Sequence, residues 1–182
     1  MTVITNIEDL RVLAQKRVPR MFYDYVDTGS WTEGTYRANE DDFQKIKFRQ
    51  RVAINMDNRT TRTQLVGQDV AMPVALAPVG STGMQWADGE ILAARAAGKF
   101  GVPFTLSTMS ICSIEDVAAN SPYPFWFQLY VMRDRAFIER LIERAKAAKC
   151  SALVLTLDLQ ILAQRHKDLK NGLSVPVKPT LA

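Results

Sequence analysis

Cysteine is scarce in this 182-residue chain. Cys112 and Cys150 stand far apart and form no CxxC pair, which argues against a disulfide framework or a zinc site and for two reduced, packed thiols. Long apolar runs are missing too, and none approaches the roughly 20 residues of a membrane-crossing helix. The opening MTVITNIEDLR has no basic segment followed by an apolar one, so no secretory signal is read there, and the expectation is a soluble, cytoplasmic chain. The net charge is only +4 and no nucleic-acid-binding motif accompanies it. Basic residues do gather at Arg11, Lys16, Arg17 and Arg20, then at Lys45, Lys47, Arg49 and Arg51. They read as a solvated face. The alternative is attraction to the anionic inner face of the cytoplasmic membrane or to an acidic electron-transfer partner.

What is present is a rhythm. Ala152–Arg165 (ALVLTLDLQILAQR) starts as the apolar run of a strand buried on both faces, turns polar at Thr156 and Asp158, and ends on Arg165. Three earlier stretches share that plan. Val74-Ala75-Leu76-Ala77 runs into Pro78-Val79-Gly80, Phe104-Thr105-Leu106 into Ser107-Thr108, and Phe125-Trp126-Phe127 into Gln128-Leu129-Tyr130. Helices are expected between them at Gly89–Phe100, at Ile114–Ala119 with Ser113 and Asp116 as a capping box, and at Arg133–Lys149. The strand ends recur every 20 to 30 residues or so, the repeat of a βα unit with parallel strands.

Upstream, Ile7–Lys16 reads as an amphipathic helix with Asn6 as its N-cap, followed by helices at Arg20–Asp27 and Thr35–Phe43. Phe48–Met72 reads as two or three short strands closing one end of the fold. The organisation is therefore 1–72, closing helices and strands; 73–165, four βα units; and 166–182, the start of a loop containing Pro176 and Pro179.

Four βα units suit a small doubly wound sheet or half of a (β/α)8 TIM barrel. A doubly wound nucleotide fold would carry a phosphate loop after its first strand, and Pro78-Val79-Gly80-Ser81-Thr82-Gly83 is neither GxGxxG nor a P-loop. An open edge at the last strand also marks an incomplete sheet. Half a barrel is the better reading.

Five motifs in order now carry a resemblance: Tyr23-Asp24-Tyr25, Ala77-Pro78-Val79-Gly80, Thr105-Leu106-Ser107-Thr108, Phe127-Gln128-Leu129-Tyr130, and Leu155-Thr156-Leu157-Asp158 with Gln164-Arg165. Together they resemble the FMN-dependent L-2-hydroxy acid oxidoreductases, the family of glycolate oxidase and L-lactate dehydrogenase. The closing RHKDLKNGLS is more similar to the bacterial L-lactate dehydrogenases than to the plant oxidases. The resemblance implies a TIM barrel with FMN across the C-terminal ends of its strands. It places Pro78, Val79 and Gly80 beside the flavin N5 edge through backbone atoms, and Ser107, Gln128 and Thr156 on the polar edge of the ring. Tyr130 would meet the substrate hydroxyl, and Tyr25 and Arg165 the substrate carboxylate. Neutral donors and acceptors suit a flavin edge, whereas Arg and a phenol suit a carboxylate. Gly80 either opens space beside N5, which bears on the electron acceptor, or simply serves the turn. Asp158 reads as a supporting or structural carboxylate.

The resemblance further implies oxidation of L-lactate, or a related L-2-hydroxy acid, to the 2-oxo acid by a homotetramer that passes electrons to a quinone or cytochrome. The alternatives are an oxidase or monooxygenase of the same family, and a non-catalytic half-barrel module. The family's base histidine, its second arginine, a lysine near the flavin and the phosphate site lie in the other half of the barrel. The one histidine here, His166, does not match the base position and reads as a loop residue. The expected partner is thus the C-terminal half of the same barrel, and no metal is called for.

Overall fold

Stretches that pass from apolar to polar residues become the parallel strands of the structure. The computed structural model describes residues 3–158, 161 and 163–173. They divide into two units, Met56–Asp158 and Met1–Asn55 with Leu159–Ala182.

In the first of these, β1 (Thr63–Leu65) and β2 (Gln68–Val70) form an antiparallel hairpin, in the region where short strands were expected. Its two-residue loop, Val66 and Gly67, has both φ positive, at 48° and 75°, the signature of the tight turns that match strand twist. Three parallel strands follow, β3 (Thr105–Leu106), β4 (Trp126–Tyr130) and β5 (Ala152–Thr156), side by side in chain order. Val74–Ala77, expected as a strand, contributes only a single parallel bridge, Leu76 to Phe104. Prolines bracket it: Pro73, Pro78 and, on the neighbouring segment, Pro103 cannot donate to a ladder. The bridge is therefore limited to the Leu76 N–H on the Pro103 carbonyl (2.9 Å) and the Thr105 N–H on the Leu76 carbonyl (3.2 Å).

Three helices cover one face of this sheet. α4 (Gly89–Phe100) has the expected bounds, α5 (Ile114–Asn120) starts from the Ser113–Asp116 capping box, and α6 (Arg135–Ala147) starts after Asp134, whose carboxylate accepts the Phe137 N–H at 3.0 Å. Their inward residues Ile91, Ala94, Val117, Ile138 and Leu141 pack with Leu106, Phe127 and Leu129 from the strands. Burying each of the larger of these side chains contributes about 1.5–3 kcal/mol. Strand register then fixes the opposite face. Trp126, Gln128 and Tyr130 pair with Ala152, Val154 and Thr156, so the polar residues stand away from the helices.

The other unit holds α1 (Ile7–Arg17), α2 (Arg20–Val26), α3 (Gly34–Asp41), a 3₁₀ turn at Asp42–Lys45, and α7 (His166–Lys170). Asn6 caps α1 as its position suggested, in a box with Asp9. Arg11 reaches across to Asp27 at 2.6 Å and fixes α1 against the end of α2. The helix α7 corrects the reading of 166–170 as loop. Its docking is tertiary, through Asn171 Nδ2 on Asp24 Oδ2 at 2.7 Å, and five residues of local pattern do not announce it. Residues 174–182, expected to be extended, lie outside the described residues. No helix among the described residues is long and apolar enough to cross a membrane.

Gly98 on α4 lies against Tyr123, and a Cβ built there would stand 2.1 Å from the Tyr123 Cγ. Gly98→Ala should therefore destabilise the protein by about 1–3 kcal/mol through overpacking, read as a lower denaturant midpoint with unchanged slope.

Candidate functional site

Gln128 sits in the middle of β4 with its side chain fully buried, and a buried amide requires partners for both ends. The Thr108 N–H, which can only donate, points at Oε1 from 3.1 Å and thereby orients the amide. The Ser107 hydroxyl donates to the same oxygen at 3.3 Å. Nε2 consequently faces the other way and donates to Thr156 Oγ1 at 2.8 Å. Three of the residues expected at a flavin edge, from three adjacent strands, are thus joined in one network, with Gln128 two residues before the end of β4. Thr156 accepts from Gln128, and its own hydroxyl proton has no acceptor among the described residues.

Thr108 belongs to one of the sequence motifs, but nothing in the sequence gives it a role. It binds Gln128 twice, since its hydroxyl also donates to the Gln128 carbonyl, and that hydroxyl accepts the Tyr130 N–H at 3.3 Å. Tyr130 ends β4 opposite Thr156 and is partly exposed. Pro78 and Val79 are exposed and Gly80 partly so in the loop that leaves the Leu76 bridge. The Ser81 N–H joins that loop to the Met109 carbonyl at 2.8 Å. The left-handed residue of the turn is Ser81, at φ 58°, and not Gly80. A positive φ is therefore not what requires glycine at position 80. Asp158 is exposed just beyond β5.

Tyr25 and Arg165 come together in the other unit. The Arg165 guanidinium stacks over the Tyr25 ring, 4.9 Å from its centroid, and donates to the Tyr25 carbonyl oxygen. Its Nε lies 2.8 Å from Asp168 Oδ2, but the N–H is not aligned on that oxygen and finds no hydrogen-bond partner among the described residues. Asp168, three residues on along α7, escapes a reading of the sequence; its only signal there is that spacing from an arginine. Burial pushes the Asp168 carboxyl above its ordinary value, with Arg165 opposing and Asp24 adding to the rise. His166 opens α7 and sets its ring edge-on to Trp31, with 6.0 Å between centroids. A ring packed in this way is a structural contact. No cluster of metal-ligating side chains occurs among the described residues.

The chain is similar to known proteins in sequence and fold. A family model described as FMN-dependent dehydrogenase matches residues 14–182. The L-lactate dehydrogenase of Stenotrophomonas maltophilia (strain R551-3) is 47% identical over 174 residues, covering 96% of this chain and 46% of that protein. The L-lactate dehydrogenase of Pseudomonas syringae pv. syringae (strain B728a) is 45% identical over the same share of each. Among solved structures, the monotopic membrane protein (S)-mandelate dehydrogenase superposes with a TM-score of 0.91 at 36% identity, over 98% of this chain and 48% of that one. The chain spans about half the length of the curated relatives it matches. Its α/β architecture with parallel strands is accordingly part of a TIM barrel.

Two stability measurements check the site. Gln128→Leu keeps the shape but leaves Thr108 and Ser107 donors buried without an acceptor, and should cost about 1–3 kcal/mol in denaturant unfolding. Asp168 behaves oppositely. Its folded pKa lies above the unfolded one, so its stability contribution is complete below the ordinary value of 3.8 and is lost as the pH rises through the folded value. Asp168→Asn should therefore leave the thermal midpoint at pH 7 unchanged or higher, as followed by circular dichroism.

Proposed function

Because this chain belongs to the FMN-dependent dehydrogenase family, we propose that it supplies the first half of a flavin barrel that oxidises L-lactate to pyruvate. The observation that carries the proposal is the Ser107–Gln128–Thr156 network, which links neutral donors and acceptors on three adjacent strands. That donor set fits a flavin edge. The Thr156 hydroxyl keeps a proton for a ring acceptor, and Gln128 is held in a single amide orientation by the Thr108 N–H. Charged side chains there would shift the ring's electronics, whereas these bind it without adding charge.

FMN, when bound, supplies the two-electron acceptor for the substrate α-carbon. The chain's own residues do the rest of this half of the task. Ser107, Gln128 and Thr156 would hold the ring's polar edge, and the backbone of Pro78, Val79 and Gly80 would lie beside it. Arg165, backed by Tyr25, binds the substrate carboxylate with charge and geometry that an ammonium would not match. Tyr130 offers its phenol to the substrate hydroxyl. The proton-abstracting base and the phosphate anchor belong to the C-terminal half of the barrel, and the assembly is a homotetramer. A quinone or cytochrome takes the electrons from the flavin. Peripheral placement on the inner face of the cytoplasmic membrane is supported by the likeness to a protein described as monotopic.

The test is anaerobic addition of L-lactate to the purified yellow protein. The flavin band should bleach, and a soluble quinone should restore it faster than oxygen does. Rapid reoxidation by oxygen with peroxide release would favour an oxidase instead. Arg165→Met should raise the KM for L-lactate about ten- to a hundredfold, the worth of a charged hydrogen bond. An unchanged KM would remove Arg165 from the substrate site.

A further inference from the structure

Glu90, the second residue of α4, is 1% exposed. An acid at a helix start ordinarily faces water, where the dipole favours it. This one is turned inward beneath two loops. Its Oε1 accepts the Gly83 N–H at 3.1 Å from the loop that carries Pro78–Gly80, and the Ile111 N–H at 2.9 Å from the loop that carries Ser107. The loops touch at the same place: a Cβ on Gly83 would stand 2.7 Å from Ile111 Cβ. Closer to the strands, the Ser81–Met109 bond joins the two loops again, and Ser107 Oγ accepts the Met109 N–H at 3.0 Å while donating to Gln128.

The carboxylate is charged in this setting. Burial alone would raise its pKa, but the N–H groups of Ile111, of Glu90 itself and of Gly83, with the Cys112 thiol, outweigh burial and hold it below the ordinary value. The thiol is pushed the other way, to about 11, by burial and by Glu90, and so keeps its proton. Glu90 Oε2 has no hydrogen-bond partner among the described residues. A buried charge whose hydrogen bonds to the two loops both fall on one oxygen is an expensive arrangement for a residue that only packs a helix end.

We propose that Glu90 is a positioning residue for the flavin site: by accepting one N–H from each loop it sets the separation between the Pro78–Gly80 backbone and Ser107. The inference rests on the reading that these residues face FMN. Glu90 touches neither the flavin nor the substrate and acts through the loops alone.

Two variants of the FMN-loaded protein decide it. Glu90→Gln keeps the length and an acceptor oxygen, and should hold FMN within about threefold of the unaltered protein. Glu90→Asp keeps the charge but is one methylene short of reaching both N–H groups. It should remain folded by circular dichroism, bind FMN at least tenfold more weakly, which is about 1.4 kcal/mol, and shift the flavin absorption band. Its kcat should fall about tenfold with the KM for L-lactate within twofold. A folded Glu90→Asp with unaltered FMN affinity, spectrum and kcat overturns the proposal, as does a Glu90→Gln that loses FMN by tenfold or more. If Glu90→Asp does not fold, the FMN affinity of Glu90→Gln decides alone. An unaltered protein that takes up no FMN overturns the flavin reading itself and this inference with it.

Discussion

The site depends on the need to satisfy one buried amide. Gln128 has no water to bind in the middle of β4, so its oxygen and nitrogen must be met by protein groups. Ser107 and Thr108 meet the oxygen from the end of β3, and Thr156 meets the nitrogen from the end of β5. Three consecutive strand ends are thereby held together by a side chain in addition to the backbone ladder. The same requirement places polar atoms on the sheet face away from the helices, because strand register sends Phe127 and Leu129 into the helical layer and Gln128 to the other side.

Around this centre the chemistry divides by charge. Ser107, Gln128 and Thr156, proposed to meet the flavin edge, are neutral, and the buried carboxylate of Glu90 is held by backbone N–H groups of the two loops. The charged pair Arg165 and Asp168 belongs to the other unit with Tyr25, where a carboxylate-binding role requires a cation. Neutral donors and acceptors on this side would bind a flavin ring without altering its charge. A small carboxylate substrate, by contrast, is selected by charge.

Much of this was legible in the sequence because it is periodic. Gly89–Phe100 and the Ser113–Asp116 box place their helices to within a residue or so, and the apolar-to-polar passages mark the ends of β3 and β5, while β4 runs two residues past Gln128 to Tyr130. Ser107, Gln128 and Thr156 are visible as polar residues that follow the apolar runs, and Tyr25 and Arg165 only through the resemblance. The failures are of one kind. The Val74–Ala77 ladder is cut short by prolines on both it and its neighbour, so apolar character overstates the strand. The helix at His166–Lys170 is held by its flanking residues Asn171 and Arg165, whose partners Asp24 and Tyr25 are far away in sequence. Glu90 and Thr108 look like an ordinary helix acid and an ordinary strand-end hydroxyl until the fold shows what they accept and donate. Local pattern reports burial and periodicity; it does not report which distant N–H a side chain will meet.

The most direct measurement is a fluorescence titration of FMN with the protein, alongside Thr156→Val, which matches threonine in shape and lacks its hydroxyl. Flavin binding at these strand ends requires saturable quenching of FMN by the unaltered protein. It also requires at least about tenfold weaker binding by a Thr156→Val that still folds, the loss of one buried hydrogen bond with an unsatisfied partner. Equal affinity for the two proteins, or no quenching by either, would contradict the assignment of these strand ends to a flavin.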